Sequence, residues 1–256
     1  MKFLIQTVDG NIVHDFSFAL IEAIKYQNWY NRNNDITYVT TDGDMLLENY
    51  IPIGSVEFVC NYIKKYYGEA NIPKPINIPN DLMYDNYLCR NIKFDIVKNG
   101  ELVINSNNNF KYPFFIKSDT QIKKYTNIIY HPNELLNNVP DDKYMISDII
   151  DIDSEYRCFV YNKKLVGIQN YSGDFTMFPN INIIYEMIKE YKNAPISYTL
   201  DVGINNYINS NDNNTFIIEC HDFFSIGLYV FNDSRILPQM FKDWYYGYIN
   251  KIKEIL

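Results

Sequence analysis

The segments Tyr198-Thr-Leu-Asp-Val-Gly203 and Thr215-Phe-Ile-Ile-Glu-Cys-His-Asp222 have the pattern of two β-strands joined by a long polar loop. Side chains alternate between the two faces of a strand. If the hairpin folds about its middle, near Ser210, Asp201 faces Glu219 across the ladder. His221 then lies on the same face, and Asp222 lies on the opposite one.

Two carboxylates that lie side by side in a buried place repel each other unless a cation separates them. The hairpin is therefore a candidate site for a divalent metal ion. Carboxylates are usually surface residues, so an exposed, solvated face is the alternative interpretation.

The composition indicates a folded protein that does not act through a general nucleic-acid surface. The chain has 256 residues, 47% of them hydrophobic, and a formal net charge of −8. This charge argues against nucleic acid as a partner. No run approaches the roughly 18 apolar residues of a membrane span, so no membrane association is expected. The four cysteines form no Cys-x-x-Cys pair. We expect a reducing, cytoplasmic location: intracellular, or a host cytoplasm if the gene is viral.

The order of predicted elements indicates an α+β fold with two parts. Up to about Tyr67 the pattern runs strand, helix, strand, helix, and Ser55 is a candidate N-cap of the second helix. Three prolines between Asn71 and Asn80 predict a linker or an irregular crossing segment. From Tyr112 onward, strands and hairpins dominate. We therefore predict a small α/β domain with its linker over residues 1–110 and a second region over residues 111–256.

Several cations lie where they could bind phosphate groups. Lys117 ends a predicted strand, and Lys123 and Lys124 follow in a polar loop. Arg157 alternates with Glu155 on one face of a predicted strand. Cations of this kind neutralise a phosphoryl group during its transfer, but each lysine taken singly is better explained as a solvated side chain. The three histidines show no metal-binding spacing, and no Walker or dinucleotide-binding motif is present.

In this order the motifs resemble the ATP-grasp fold, most closely the subgroup called the R2K clade. The resemblance extends from about Ile51 to Trp244 and rests on six weak motifs in the right order. They are Ile51-Pro-Ile-Gly-Ser-Val-Glu-Phe58, Phe115-Ile-Lys117 with Lys124-Tyr-Thr126, Asp153-Ser-Glu-Tyr-Arg-Cys-Phe-Val160, Asn170-Tyr-Ser-Gly-Asp-Phe175, Tyr198-Thr-Leu-Asp-Val-Gly203 and Glu219-Cys-His-Asp-Phe-Phe-Ser-Ile-Gly-Leu228.

The resemblance implies a carboxylate–amine ligase, peptide-like in its product, that uses ATP and Mg²⁺ or Mn²⁺. In such enzymes a substrate carboxylate attacks the γ-phosphate, and an amine captures the resulting acylphosphate with release of ADP. The expected partners are thus a small-molecule or peptide carboxylate and an amine, and the sequence leaves the oligomeric state open.

The resemblance also assigns a role to individual residues. It implies that Lys117 and Lys124 bind the ATP phosphates and that Arg157 stabilises the transferring phosphoryl group. Asp148 and the backbone of Ile149 would contact the adenine, and Glu155 would bind the ribose. Asp201 and Glu219 would bind the metal ion.

The third position of the implied metal motif differs from the family pattern. That motif usually reads Glu-x-Asn, whereas His221 occupies the last position here. Because Mg²⁺ prefers oxygen ligands, three alternatives follow: His221 binds Mn²⁺, Asp222 completes the site, or two carboxylates act with water.

Two other classes of function are compatible with the same motifs. One is another ATP-dependent transferase, such as a kinase or an RNA-modifying ligase on the same fold. The other is a non-catalytic nucleotide-binding protein. The identity of the product, ADP or AMP, separates the first class from a carboxylate–amine ligase, and a phosphate-release assay separates the second.

Overall fold

The computed structural model describes residues 1–103, 111–205 and 214–255. The first part is a three-stranded parallel sheet of order β2-β1-β3, with helices packed against it. Its central strand carries the fully buried Phe3, Leu4 and Ile5. The second helix begins after Ser55, whose Oγ accepts a hydrogen bond from the backbone N of Phe58 at 3.1 Å. The elements are β1 (Lys2–Gln6), α1 (Asp15–Asn31), β2 (Thr37–Thr41), β3 (Ile51–Ile53) and α2 (Val56–Tyr67).

The second part is a five-stranded antiparallel sheet of order β5-β4-β8-β6-β7. Buried side chains on one face, among them Phe114, Ile116 and Ile146, pack with a short helix. The elements are β4 (Ile92–Lys98), β5 (Glu101–Leu102), β6 (Phe114–Ser118), β7 (Thr126–Ile129), α3 (Pro132–Asn138) and β8 (Asp142–Asp148).

The third part is a four-stranded antiparallel sheet of order β10-β9-β11-β12. One face packs on α4 through Ile184 and Met187, and the last helix belongs to the core of the first part. The elements are β9 (Ser154–Tyr161), β10 (Lys164–Gly173), α4 (Ile181–Glu190), β11 (Ser197–Ile204), β12 (Thr215–Asp222) and α5 (Leu237–Ile255).

The predicted α+β class is confirmed, and so is the predicted pairing of the two strands that carry Asp201 and Glu219. Asp201 faces Glu219 in the register of β11 and β12. The predicted turn near Ser210 lies outside the described residues. The predicted crossing segment runs between two short 3₁₀ turns, and its Asn77 forms an isolated bridge with Cys220 of β12.

The division at residue 110 stays a prediction. The five-stranded sheet contains strands from both sides of that position. Within the described ranges, none of the helices has the length and apolar character that crossing a bilayer requires.

Candidate functional site

A cavity of about 690 Å³ lies between the five-stranded and the four-stranded sheets. Small-molecule sites usually have roughly 300–1,000 Å³. Its lining includes apolar side chains, among them Phe115, Met145 and Ile218, and several charged ones. These charged residues are Lys74, Arg90, Lys117, Lys123, Asp148, Arg157, Glu219, His221 and Asp222.

Three charged residues form a row across neighbouring strands of the four-stranded sheet. Asp201 of β11 is paired in register with Arg157 of β9 on one side and with Glu219 of β12 on the other. His221 follows Glu219 by two residues and therefore lies on the same face. One ligand atom from each of Asp201, Glu219 and His221 can be chosen so that all three lie within 4.8 Å of one another.

Asp201 is neutralised by a bidentate pair with Arg157. Its Oδ1 accepts from Arg157 Nε at 2.9 Å, and its Oδ2 accepts from Arg157 Nη2 at 2.7 Å. Asp201 is 1% exposed, so this pair is buried. Burial opposes the charge on Arg157, but Asp201 outweighs burial and raises the pKa of the guanidinium above its ordinary value.

The guanidinium of Arg157 is also held by contacts outside the sheet. It lies 5.1 Å from the ring centroid of Tyr229 and 5.8 Å from that of Tyr171. Arg157 Nη1 donates to the carbonyl of Gly227 at 3.2 Å. Cation–π contacts of this kind stabilise a charged guanidinium where water is excluded. Neither tyrosine belongs to the predicted set of site residues.

Glu219 is shared between a lysine and a histidine. Its Oε2 pairs with Lys117 Nζ, and its Oε1 lies 2.8 Å from His221 Nε2. Burial disfavours the charged carboxylate, but His221 and Lys117 outweigh burial and hold the pKa of Glu219 well below its usual range. The pair therefore connects β6 of one sheet to β12 of the other across the cavity.

The donor set suits a divalent ion that is held mainly by carboxylates. Asp201 and Glu219 supply the oxygen ligands that Mg²⁺ and Mn²⁺ favour, while imidazole is a poor ligand for Mg²⁺. The geometry brings His221 to the two carboxylates. By contrast, Asp222 Oδ1 accepts from Trp244 Nε1 at 2.9 Å. In this structure Lys117 contacts Glu219 and Arg157 contacts Asp201, so these two cations occupy the carboxylate oxygens that an ion would bind.

Both residues expected to contact adenine line the cavity. Asp148 is the last residue of β8 and Ile149 follows it, where the chain crosses from one sheet to the other. Asp148 Oδ2 accepts from the side-chain amide of Asn91 at 2.5 Å, which fixes the start of this connection. Ile149 is 40% exposed and belongs to the lining of the cavity.

Two of the predicted residues do not line the cavity. Lys124 Nζ pairs with Asp142 Oδ2 at 3.0 Å, and the neighbouring Lys123 lines the cavity instead. Glu155 Oε2 accepts from Tyr171 Oη at 2.7 Å. The roles predicted for Lys124 at the phosphates and for Glu155 at the ribose stay predictions.

Arg90 is a cavity residue that the sequence interpretation missed. Its guanidinium donates to the carbonyls of Ile217 and Ile218 at 3.1 and 3.3 Å, and burial lowers its pKa. A single arginine before a strand belongs to no sequence motif with a recognisable spacing. Its partners lie more than 120 positions away in the chain, so the sequence alone gave no means of finding it.

The chain was compared with protein families and with curated sequences. The family described as "ATP-grasp domain, R2K clade family 2" matches residues 87–238, which is more than half of the chain. The search of curated proteins found no match.

Several solved structures share the fold. D-alanine–D-alanine ligase from Bacillus anthracis is 11% identical with a TM-score of 0.52, and the match covers 100% of both chains. D-cycloserine synthetase DcsG is 9% identical with a TM-score of 0.54, covering 95% of this chain and 100% of that one. A RimK domain ATP-grasp protein from Sphaerobacter thermophilus is 13% identical with a TM-score of 0.50, covering 98% and 99%. At these identities the likeness shows the fold alone.

Proposed function

This chain belongs to family 2 of the R2K clade of ATP-grasp domains, and from that membership we propose that it is an ATP- and divalent-metal-dependent ligase joining a carboxylate to an amine. The observation that carries the proposal is the row of Arg157, Asp201 and Glu219 facing Lys117 across one cavity. Two acids and two cations in one cavity are the groups that nucleotide phosphates and a divalent ion require.

The nucleotide would lie in the cavity with its base beside Ile149. Phe115, Met145 and Ile218 line the cavity and would supply apolar contact, and the backbone of Ile149 would read the edge of the adenine. Lys117 would exchange its partner Glu219 for the phosphate chain. Lys117 would then be compensated by the phosphates, and the released Glu219 would be compensated by the divalent ion that is needed beside them.

Asp201 and Glu219, with His221 beside them, are the residues that would hold the ion. When bound, a divalent ion neutralises the terminal phosphates and favours their orientation. Arg157 already presents its guanidinium toward the cavity, fixed by Asp201 and Tyr229. We assign to Arg157 the stabilisation of charge on the transferred phosphoryl group, as the family resemblance implies.

The proposed reaction has two steps. An oxygen of the substrate carboxylate attacks the γ-phosphorus, the bond to the β–γ bridging oxygen breaks, and ADP leaves. The amine then attacks the carbonyl carbon of the acylphosphate, inorganic phosphate leaves, and the amine loses a proton. The predicted role of Glu155 at the ribose stays a prediction, since Tyr171 holds its carboxylate.

The first test is ADP formation from ATP with Mg²⁺ or Mn²⁺ in a screen of amino acids and small peptides. Glu219→Gln removes the charge that an ion needs. We expect a loss of at least the roughly 10- to 100-fold that removal of an outer-shell metal partner causes. The matched control is Glu186→Gln, an exposed acid on α4, which should leave turnover unchanged.

The product of turnover decides between classes of enzyme. ADP with inorganic phosphate supports the proposed ligase, whereas AMP would place the protein among other ATP-dependent enzymes such as RNA-modifying ligases. Metal-dependent turnover retained in Glu219→Gln at the wild-type level would contradict the metal assignment.

A second candidate function is nucleotide binding without catalysis. The observation that favours it is that both carboxylates are already neutralised, Asp201 by Arg157 and Glu219 by Lys117 with His221. Calorimetry with ATP and Mg²⁺, followed by a phosphate-release assay, separates the two. Binding without phosphate release under any substrate pair would support the binding protein.

A further inference from the structure

The loop between β6 and β7, residues 119–125, contains two adjacent lysines with different surroundings. Lys123 lines the cavity and has a left-handed backbone, with φ of 59°. Lys124 pairs with Asp142, whose side chain is only 8% exposed. Among the described residues, Lys123 has no ion-pair partner. The two lysines are therefore not interchangeable, although the sequence presents them as a simple pair.

We propose that Asp142 is the positioning residue that fixes this loop so that Lys123, and not Lys124, faces the nucleotide phosphates, and that Asn77 ties the same loop to the metal-binding strand β12. The proposal rests on the proposed function for the identity of the ligand. The anchoring itself rests only on contacts within the protein.

Asp142 is contacted by three donors from the loop and its flanking Ser118, and by the backbone N of its own neighbour Lys143. Its Oδ2 accepts from Ser118 Oγ at 2.9 Å and lies 3.0 Å from Lys124 Nζ. Thr120 Oγ1 lies 2.7 Å from both carboxylate oxygens, and Oδ1 accepts from the backbone N of Lys143 at 2.8 Å. Burial opposes the charge, but the bonds from Thr120 and Lys124 lower the pKa of Asp142 below its ordinary value.

The consequence for Lys123 follows from the backbone. A left-handed conformation is unfavourable for a residue with a β-carbon, so it persists only where surrounding contacts hold it. Because Lys124 is held on Asp142, the bend at Lys123 turns its own side chain away from Asp142 and into the cavity.

Asn77 provides the second attachment. The side-chain amide of Asn77 donates to Asp119 Oδ1 at 3.1 Å, and its backbone carbonyl accepts from the backbone N of Cys220 at 2.6 Å. Cys220 lies between Glu219 and His221 on β12. Lys143 Nζ also pairs with Asp119 Oδ2 at 2.6 Å. One asparagine thus connects the loop that carries the lysines to the strand that carries two candidate metal ligands.

The first arm of the test measures hydrogen exchange of the loop amides 119–125 in the ligand-free, full-length protein. We expect Asp142→Asn, Lys124→Ala and Asn77→Ala to accelerate exchange at least tenfold. The control Asp141→Asn, an exposed neighbouring acid, and Lys123→Ala should leave it unchanged. Asp142→Glu, which keeps the carboxylate, should recover part of the protection, and circular dichroism checks that each variant is folded.

The second arm measures ATP binding with Mn²⁺ by calorimetry. We expect Lys123→Ala to weaken ATP binding at least tenfold without changing loop exchange, because it removes a ligand and no anchor. Asp142→Asn and Lys124→Ala should weaken ATP binding together with the loss of loop protection.

Two results would overturn the proposal. Equal loop exchange in Asp142→Asn and Asp141→Asn would show that Asp142 does not hold the loop. A larger loss of ATP binding in Lys124→Ala than in Lys123→Ala, with loop exchange unchanged, would make Lys124 the ligand. If the wild type binds no ATP, the assignment of Lys123 fails with the proposed function, and the exchange arm still decides the anchoring.

Discussion

Asp201 and Glu219 have the same charge and the same proposed role, but their surroundings differ. Asp201 has 2% of its side chain exposed and pairs with Arg157, whose side chain is 10% exposed. Glu219 and its partner Lys117 are 21% and 19% exposed. Removing the carboxylate partner therefore costs more folding free energy at Arg157 than at Lys117, because water can reach and solvate the charge of Lys117.

We expect this difference to appear in the free energy of unfolding. Asp201→Asn leaves the buried charge of Arg157 without a partner and should lower stability by roughly 3–5 kcal/mol. Glu219→Gln should lower it by about 1–2 kcal/mol. Urea denaturation with an unchanged slope measures both values.

A double variant is the control for this explanation. Asp201→Leu combined with Arg157→Met removes both charges, so it should be less destabilised than Asp201→Asn alone. Equal stabilities of Asp201→Asn and Glu219→Gln would contradict the role given to burial. The result also decides which carboxylate gives the cleaner test of metal binding.

At the level of elements, strands and caps could be predicted because their signals are local. The alternation of side chains, together with an assumed fold near the middle of the hairpin, paired Asp201 with Glu219 as the structure does. The contacts of Lys124 and Glu155 could not be predicted, because their partners lie on other strands. Lys124 finds Asp142, and Glu155 finds Tyr171 on the next strand. Neither contact follows from a period in the sequence.

The cap of α2 is an element whose contribution can be measured. Ser55 Oγ accepts from Phe58 N, which satisfies a backbone donor at the start of the helix. We expect Ser55→Ala to lower stability by about 1 kcal/mol, while Ser55→Gly costs only a few tenths. Ser55→Asp, which can accept the same bond, is the matched control in chemical denaturation. An alanine variant as stable as the aspartate variant would show that the cap contributes nothing.

For the whole molecule, the largest hydrophobic core joins distant parts of the chain. It contains Phe3 to Ile5 of β1, the apolar face of α5, and Phe159 of β9 in the four-stranded sheet. Phe159 and Phe231 stack with ring centroids 4.4 Å apart. The first and last elements therefore share one core, which the predicted division at residue 110 does not reveal.

This shared core predicts that the N-terminal sheet and the four-stranded sheet unfold together. Trp244 on α5 is 3% exposed, whereas Trp29 on α1 is 74% exposed. In the variant Trp29→Phe, tryptophan fluorescence therefore reports on the core alone. We expect its midpoint in urea to coincide with that of far-ultraviolet circular dichroism, as in a cooperative transition. Trp29→Phe itself should leave the dichroism midpoint unchanged, because the side chain is exposed. A fluorescence transition clearly separated from the dichroism transition would show instead that α5 and the N-terminal sheet form a core that is independent of the four-stranded sheet.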